Sequence, residues 1–327
     1  MKVKTIKSKL LAVGLALVIY SCNAPHSNPL DPENPDNNFA VLSGTVETET
    51  LPREPIEGAS IFWMNDNILI KTNQDGKFKI DNLSRKSGWL QVTKMGFSND
   101  STFITWNEQK VISVNRYLNS IPQIENLKLY TIVLNKFPQN QTFKLTIEAD
   151  ISDREEDVDS VFVENESVDI FYPLSEIRKN HFERTFVEID LNILSFDEVI
   201  GKEFNIVVKD KFHNQFVIGG TNVKRIIKQE VETISPKNYQ DSVSQTPELK
   251  WKRFQPGFKF DYFAEIYTDE VQPIKVWESG LISSDSISVK VDQAITGNIF
   301  GEYFWVIWAA DEFENKTRSK PATFIVR

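Results

Sequence analysis

The side chains in this 327-residue sequence most able to do chemistry are few and scattered. His26 sits among prolines and asparagines, His181 lies between Lys179 and Arg184, and His213 falls in Asp210-Lys211-Phe212-His213-Asn214. No two of them have the spacing that puts paired imidazoles on one face of a zinc helix, and neither an HExxH nor a GxSxG string occurs. His181 and His213 therefore read as surface-loop residues. The densest acidic run, Asp150, Asp153, Glu155, Glu156, Asp157 and Asp159, crowds hard oxygens into one turn. Calcium tolerates irregular geometry with about six to eight such ligands. The run lacks the glycine and spacing of an EF-hand loop, so a solvated turn is the leading expectation and calcium at Asp150, Asp153, Asp157 and Asp159 the secondary one. Carboxylates are too abundant for a glycosidase pair to be singled out. The sequence is read as non-enzymatic, with no firm metal site.

Composition narrows the partners. With 46 acidic and 37 basic side chains the net charge is −9, the wrong sign for a nucleic-acid surface. A single cysteine excludes a disulfide framework and any cysteine-built zinc site. At roughly 100–200 residues per domain the chain holds two or three globular domains.

That cysteine has a telling position. Lys2, Lys4, Lys7 and Lys9 precede an apolar run from Leu10 to Tyr20, which has the form of an export signal. At about 1.5 Å per residue the run covers only about half of a hydrocarbon core. Cys22 follows at once in Ile19-Tyr20-Ser21-Cys22. This context resembles the bacterial lipoprotein lipobox, with Tyr20 a mild departure from the small residue usual there. The resemblance implies cleavage before Cys22, a diacylglycerol on its thiol and a fatty acyl chain, palmitate or similar, on the new amino terminus. Two or three chains hold far more firmly than one, at about 0.8 kcal/mol per buried methylene. Removing residues 1–21 takes away those four lysines and no acid, so the net charge falls from −9 to −13. Residues 22–38, rich in Pro, Asn and Asp, cannot form a core and read as a flexible spacer. Their NPLDPENPD stretch is similar to segments behind the lipid cysteine of many Bacteroidota-like lipoproteins. Asn23 after the cysteine favours the outer membrane by the enterobacterial sorting rule.

Beyond the spacer, short apolar or alternating runs recur every eight to twelve residues, separated by Gly, Asn, Asp and Pro, which predicts an all-β chain of sandwiches or barrels. Residues 39–121 carry Ser43-Gly44-Thr45-Val46, Pro55-Ile56-Glu57-Gly58-Ala59, Asn73-Gln74-Asp75-Gly76-Lys77-Phe78, Asn82-Leu83 and Leu90 to Phe97, with Asp75-Gly76 read as a tight hairpin. In this order they resemble the carboxypeptidase regulatory-like domain, a seven-stranded transthyretin-like sandwich that does no chemistry itself. Ser87-Gly88-Trp89 stands where that family usually has Pro-Gly-Tyr. Residues 122–228, with alternation in Phe143 to Ala149 and strands at Val158 to Val163 and Phe204 to Asp210, look like an immunoglobulin-like sandwich. Residues 229–327, with Pro247 to Trp251, Phe258 to Tyr267 and Tyr303 to Ala309, resemble a fibronectin type III domain. That resemblance implies Tyr303, Trp305, Ile307 and Ala309 in the core, opposite Trp251. Three β-sandwich modules in tandem are the expectation.

Period-two alternation then sends Phe304 and Trp308 outward, and with Phe260 and Tyr262 inward it sends Phe263 and Tyr267 outward too. Four aromatics on one outer face are a candidate docking surface for a protein or for sugar rings, or else a face covered by a neighbour. Asp100-Ser101-Thr102, Asp159-Ser160-Val161, Asp241-Ser242-Val243 and Asp285-Ser286-Ile287 resemble Bacteroidota O-glycosylation sites. The combined reading is a non-enzymatic lipoprotein, anchored in the cell envelope through Cys22, that contacts an envelope protein as scaffold or interaction module. The alternative is a glycan-binding surface lipoprotein accessory to polysaccharide uptake.

Overall fold

Alternation of apolar and polar side chains turns almost every short run of this sequence into strand, because every second residue of an extended chain points to the same side. A computed structural model describes residues 39–327, which divide into one compact unit ending at Ser120 and a second running from Ile121 to Arg327. The expected signal peptide (1–21), Cys22 and the spacer (22–38) lie outside the described residues. Among the described residues no helix is long and apolar enough to cross a membrane.

The first unit is built from β1 (Phe39–Thr48), β2 (Ser60–Trp63), β3 (Ile68–Lys71), β4 (Lys77–Ser84), β5 (Gly88–Thr93), β6 (Asp100–Ile104) and β7 (Val111–Leu118). They form a three-stranded sheet, β4-β1-β7, and a four-stranded sheet, β3-β2-β5-β6. The inward residues Leu42, Ile61, Trp63, Leu83, Leu90 and Val92 are fully buried between them. This is the expected seven-stranded sandwich, with one correction. Asp75-Gly76 makes a turn, Gly76 N donating to Asn73 O at 2.9 Å, but β3 and β4 belong to different sheets, so the turn is a sheet-to-sheet crossing and not a hairpin. Gly76 takes φ +71°, and a Cβ there would lie 2.5 Å from Val46 O. Local turn chemistry is the same in both cases; only the hydrogen-bond partners of the flanking strands tell them apart.

The second unit opens with two long strands, β8 (Gln123–Lys136) and β9 (Asn140–Ser152), followed by β10 (Val158–Asn165), β11 (Ile170–Pro173), β12 (Ser175–Arg178), β13 (His181–Val187), β14 (Glu203–Asp210) and β15 (Gln215–Asn222). Sheet β11-β10-β14-β15 faces β12-β13-β9-β8 across a core that includes Ile147, Val163, Phe186, Phe204 and Ile206. Then come β16 (Thr233–Ser235), β17 (Gln240–Val243), β18 (Glu248–Trp251), β19 (Phe260–Thr268), β20 (Lys275–Glu278), β21 (Ile282–Ser283), β22 (Ser288–Lys290), β23 (Glu302–Asp311), β24 (Lys316–Arg318) and β25 (Ala322–Val326). Sheet β16-β18-β22 packs on the β19–β23 sheet around Trp251, Tyr262, Trp305 and Phe324. Trp251 meets Tyr262 edge to face at 5.2 Å, and Tyr303 OH accepts from Asn298 N at 3.0 Å.

These two cores are not strung loosely. β24 pairs in parallel with β8, Thr317 opposite Val133, so one sheet runs β12-β13-β9-β8-β24-β23-β19-β20 through both sandwiches. The seam is a buried polar network. Asn315 Oδ1 accepts from Thr131 N and Oγ1 at 2.9 and 3.0 Å, and Asn315 Nδ2 donates to Asp311. Asp311, its carboxylate shut off from solvent, pairs with Arg225 at 3.3 Å. Asn135 Nδ2 donates to Thr317 Oγ1 and Arg318 O. Buried groups satisfied in this way fix one geometry, since any slip leaves each of them unpaired at about 1–3 kcal/mol.

Candidate functional site

Strands β19 and β23 lie side by side in register, Phe263 opposite Trp308, Glu265 opposite Val306, Tyr267 opposite Phe304. Their inward residues fill the core, so the alternate ones form the outer face. Phe263 stacks on Trp308 with centroids 5.5 Å apart and planes 9° from parallel; Tyr267 stacks on Phe304 at 5.2 Å and 12°. All four rings are half-buried, and Val306 between them is fully buried. The structure thus brings together all four aromatics expected on this face, as two stacked pairs.

What holds the pairs apart is Glu265, a buried carboxylate on the outside of a sheet. Trp308 Nε1 donates to its Oε2 at 2.6 Å, Tyr267 OH donates to the same oxygen at 2.9 Å, and Lys275 Nζ lies 3.5 Å from Oε1. Burial, reinforced by the Glu265 charge, pushes the Tyr267 hydroxyl up to about 12. Arg318 on β24 closes one side, its guanidinium 5.9 Å from the Trp308 ring centroid, and desolvation lowers its pKa from the ordinary arginine value. The face continues onto β8 and β9. Lys316 Nζ sits 5.6 Å from Trp308 and 5.4 Å from Tyr130, whose hydroxyl donates to Glu148 at 2.6 Å and is held well above the usual tyrosine range by its burial and by that carboxylate. Each ring turns a flat side to its cross-strand partner, which leaves edges and cations for anything that docks.

The acidic run is divided by the fold. Asp150, two residues before the end of β9, lies opposite His181, whose Nδ1 is 2.7 Å away, and that hydrogen bond holds the Asp150 carboxyl below its ordinary range. Asp153 accepts from Asp157 N at 2.9 Å, Asp157 is buried, and Asp159 is exposed beside Ser160. No three His, Cys, Asp or Glu residues among the described ones are placed to hold a metal ion together. His181 is thus a β13 strand residue rather than the loop residue expected, and His213 sits in the turn between β14 and β15 at φ +69°. Of the Asp-Ser positions, Ser101 and Ser242 are exposed, and Ser160 and Ser286 partly so.

One aromatic group escaped the sequence reading. In the first unit, Trp89 and Phe103 meet edge to face at 5.4 Å on the outer side of β5 and β6, each about half exposed. The signal was the same alternation that exposed Phe304: Trp89 lies between buried Gly88 and Leu90, and Phe103 precedes buried Ile104. Gly88 itself is required, since a Cβ there would lie 2.3 Å from Asn65 Nδ2, which bonds Lys86 O and Ser87 O.

Sheet topology therefore defines an all-β protein of tandem sandwiches. Residues 42–126 match the family model of the CarboxypepD_reg-like domain, about the extent of the first unit. No curated protein matches the chain. Among solved structures, the chain is similar to the fibronectin(III)-like modules of Clostridium thermocellum CbhA at 12% identity, over 63% of this chain and 94% of that one, with a TM-score of 0.28. It is also similar to the FN1-FN3 domains of chicken CNTN1, at 9% identity over 84% and 92% of the two chains and a TM-score of 0.30. A third is BcpA, the major pilin subunit of Bacillus cereus, at 10% identity over 88% and 96% with a TM-score of 0.24.

Proposed function

We propose that this chain is a non-enzymatic lipoprotein, anchored through Cys22 in the cell envelope, that serves as scaffold or interaction module for an envelope protein. The observation that carries this reading is the seam between β8 and β24, which makes two sandwiches one body and continues the aromatic face across it. A face locked by Glu265, Arg318 and the buried Asp311–Asn315–Thr131 network is ordered before a partner arrives, which lowers the entropic cost of recognition. The partner meets ring edges and the cations Lys275, Lys316 and Arg318.

The test is affinity capture from gently solubilised native membranes with the full-length chain and with Phe304→Ser plus Trp308→Ser, thermal unfolding of the variant being run alongside. Defined envelope proteins that come down with the first bait and not with a folded variant, and that capture the chain in return, are the expected result. Equal capture by both baits removes the aromatic face from the reading. The anchor has its own test: Cys22→Ser should release the chain from the membrane fraction, and intact-mass spectrometry should find the mature amino terminus acylated.

The alternative, a glycan-binding surface lipoprotein, draws on the half-exposure of Trp308 and Phe263. It predicts a tryptophan fluorescence shift with soluble polysaccharides that Trp308→Ala abolishes.

A further inference from the structure

The first unit carries an apolar face that its own fold leaves uncovered. On the outer side of the β3-β2-β5-β6 sheet, Leu69 is 64% exposed, Phe103 51%, Trp89 48% and Met64 46%. Register places them side by side: Met64 N donates to Trp89 O, Trp89 is opposite Phe103, and Phe62 lies between Leu69 and Gln91. The outward residues that complete these strands are Ser60, Lys71, Gln91, Thr93 and Ser101, so in a chain of net charge −9 this face has no acid. The only acid in its four strands, Asp100, turns inward and is held by Arg116 at 2.5 and 2.8 Å.

Where the chain enters adds a direction. β1 begins with Phe39 opposite Ser84, so the polypeptide arrives at the end of the sandwich where β4 finishes and β5 starts. There the exposed cations Arg85 and Lys86 stand four and three positions before Trp89, and Gly88 pairs with Ile104, next to Phe103. Two acids lie at that end: exposed Glu108, whose backbone carbonyl accepts from Arg85 at 3.4 Å, and partly exposed Asp66, whose carboxylate is taken up by Ser84 N and Oγ and by Trp63 Nε1.

We propose that this end of the face rests in the headgroup region of an anionic phospholipid bilayer. Exposed Trp and Phe with aliphatic neighbours suit the boundary between headgroups and acyl chains, and the adjoining cations are attracted by anionic headgroups. The geometry rests on the anchored reading, for the seventeen residues from Cys22 to Asn38 reach at most about 60 Å. Within that radius the tether supplies a local concentration of about millimolar order, so an affinity that sediments the untethered chain at about millimolar lipid is what the proposal requires.

The probe is a vesicle of phosphatidylglycerol and phosphatidylcholine, with phosphatidylcholine alone as the uncharged comparison. The protein is the chain from residue 22 onward with Cys22→Ser, which keeps every described residue and takes no lipid, so the outcome is independent of whether Cys22 is acylated. Co-sedimentation with the anionic vesicles is expected, at least tenfold weaker with Trp89→Ser plus Phe103→Ser, and several-fold weaker with Arg85→Glu plus Lys86→Glu or on the uncharged vesicles. Far-UV circular dichroism confirms that the variants fold. Failure of the parent to sediment, or equal sedimentation of parent and the Trp89/Phe103 variant, overturns the proposal. So does a dimer in sedimentation velocity without vesicles that the same variant dissolves, since the face then belongs to a second copy of the chain.

Discussion

Two outer sheet faces of this protein carry paired aromatic rings, and they differ in what surrounds the rings. In the third sandwich, Trp308 and Tyr267 give their polar hydrogens to a buried glutamate and stack on Phe263 and Phe304. In the first, Trp89 and Phe103 touch edge to face, each with about half its surface in solvent. Alternation puts both sets outside, but the Glu265 hub makes one of them part of the fold. An aromatic row on a strand is thus no measure of availability; the polar partners decide whether the rings are held or free to meet something soft.

The sharpest way to break this contrast is Glu265→Ala. It leaves Trp308 Nε1 and Tyr267 OH without their acceptor and Arg318 without the carboxylate beside it, while Lys275 keeps its pairing with Glu278, and should destabilise the second unit by about 3 kcal/mol in denaturant unfolding. A loss under about 1 kcal/mol would put the two faces on the same footing. Trp308→Ala removes a stacked ring and one hydrogen bond and should cost about 2–3 kcal/mol by the same assay. Tyr267→Phe, which deletes one hydroxyl, should cost about 1 kcal/mol. Trp89→Ser, by contrast, should stay within about 0.5 kcal/mol, because a half-exposed side chain outside any network has little to lose.

The same hub has a pH signature. The Tyr267 hydroxyl is raised from 10 in the unfolded chain to about 12 in the fold. A raised pKa means that the neutral form is favoured by folding, so the stabilisation is complete below pH 10 and is lost as pH climbs toward 12. Ultraviolet difference titration should show a late-ionising tyrosine that Tyr267→Phe removes, and the stability gap between parent and that variant should narrow over the same interval. Trp89 and Phe103 have no titrating partner, so Trp89→Ser should leave the alkaline profile unchanged.

Much of this architecture was legible before any coordinates. Runs such as Phe78-Lys79-Ile80 and Tyr303 to Ala309 need only period two to be recognised as half-buried strand, and the outward direction of Phe263, Tyr267, Phe304 and Trp308 follows from the inward direction of their neighbours. The family resemblance of the first module rested on short turn and strand elements in order, and those elements do build its two sheets. Less was legible wherever a partner distant in sequence decided the outcome. Asp75-Gly76 has the chemistry of a hairpin but joins different sheets. Asp150 and Asp157 are seven positions apart in one acidic run, yet one pairs with His181 while the other is buried beyond the next turn.

The seam and the hub belong to that second class. Thr131 and Asn315 lie 184 positions apart, and Trp308 and Glu265 43 apart, and nothing local to either pair announces the bond. Sequence by itself determined which residues extend, which side of each strand is apolar and where turns fall, because these follow from backbone sterics and from contact with water within a few residues. Only the tertiary structure decided which strands share hydrogen bonds, that β24 joins two sandwiches through β8, and that one aromatic face is tied down by a buried carboxylate while the other stays open. Those outcomes depend on which long-range pairing leaves the fewest buried polar groups unsatisfied, a condition that no short window of residues contains.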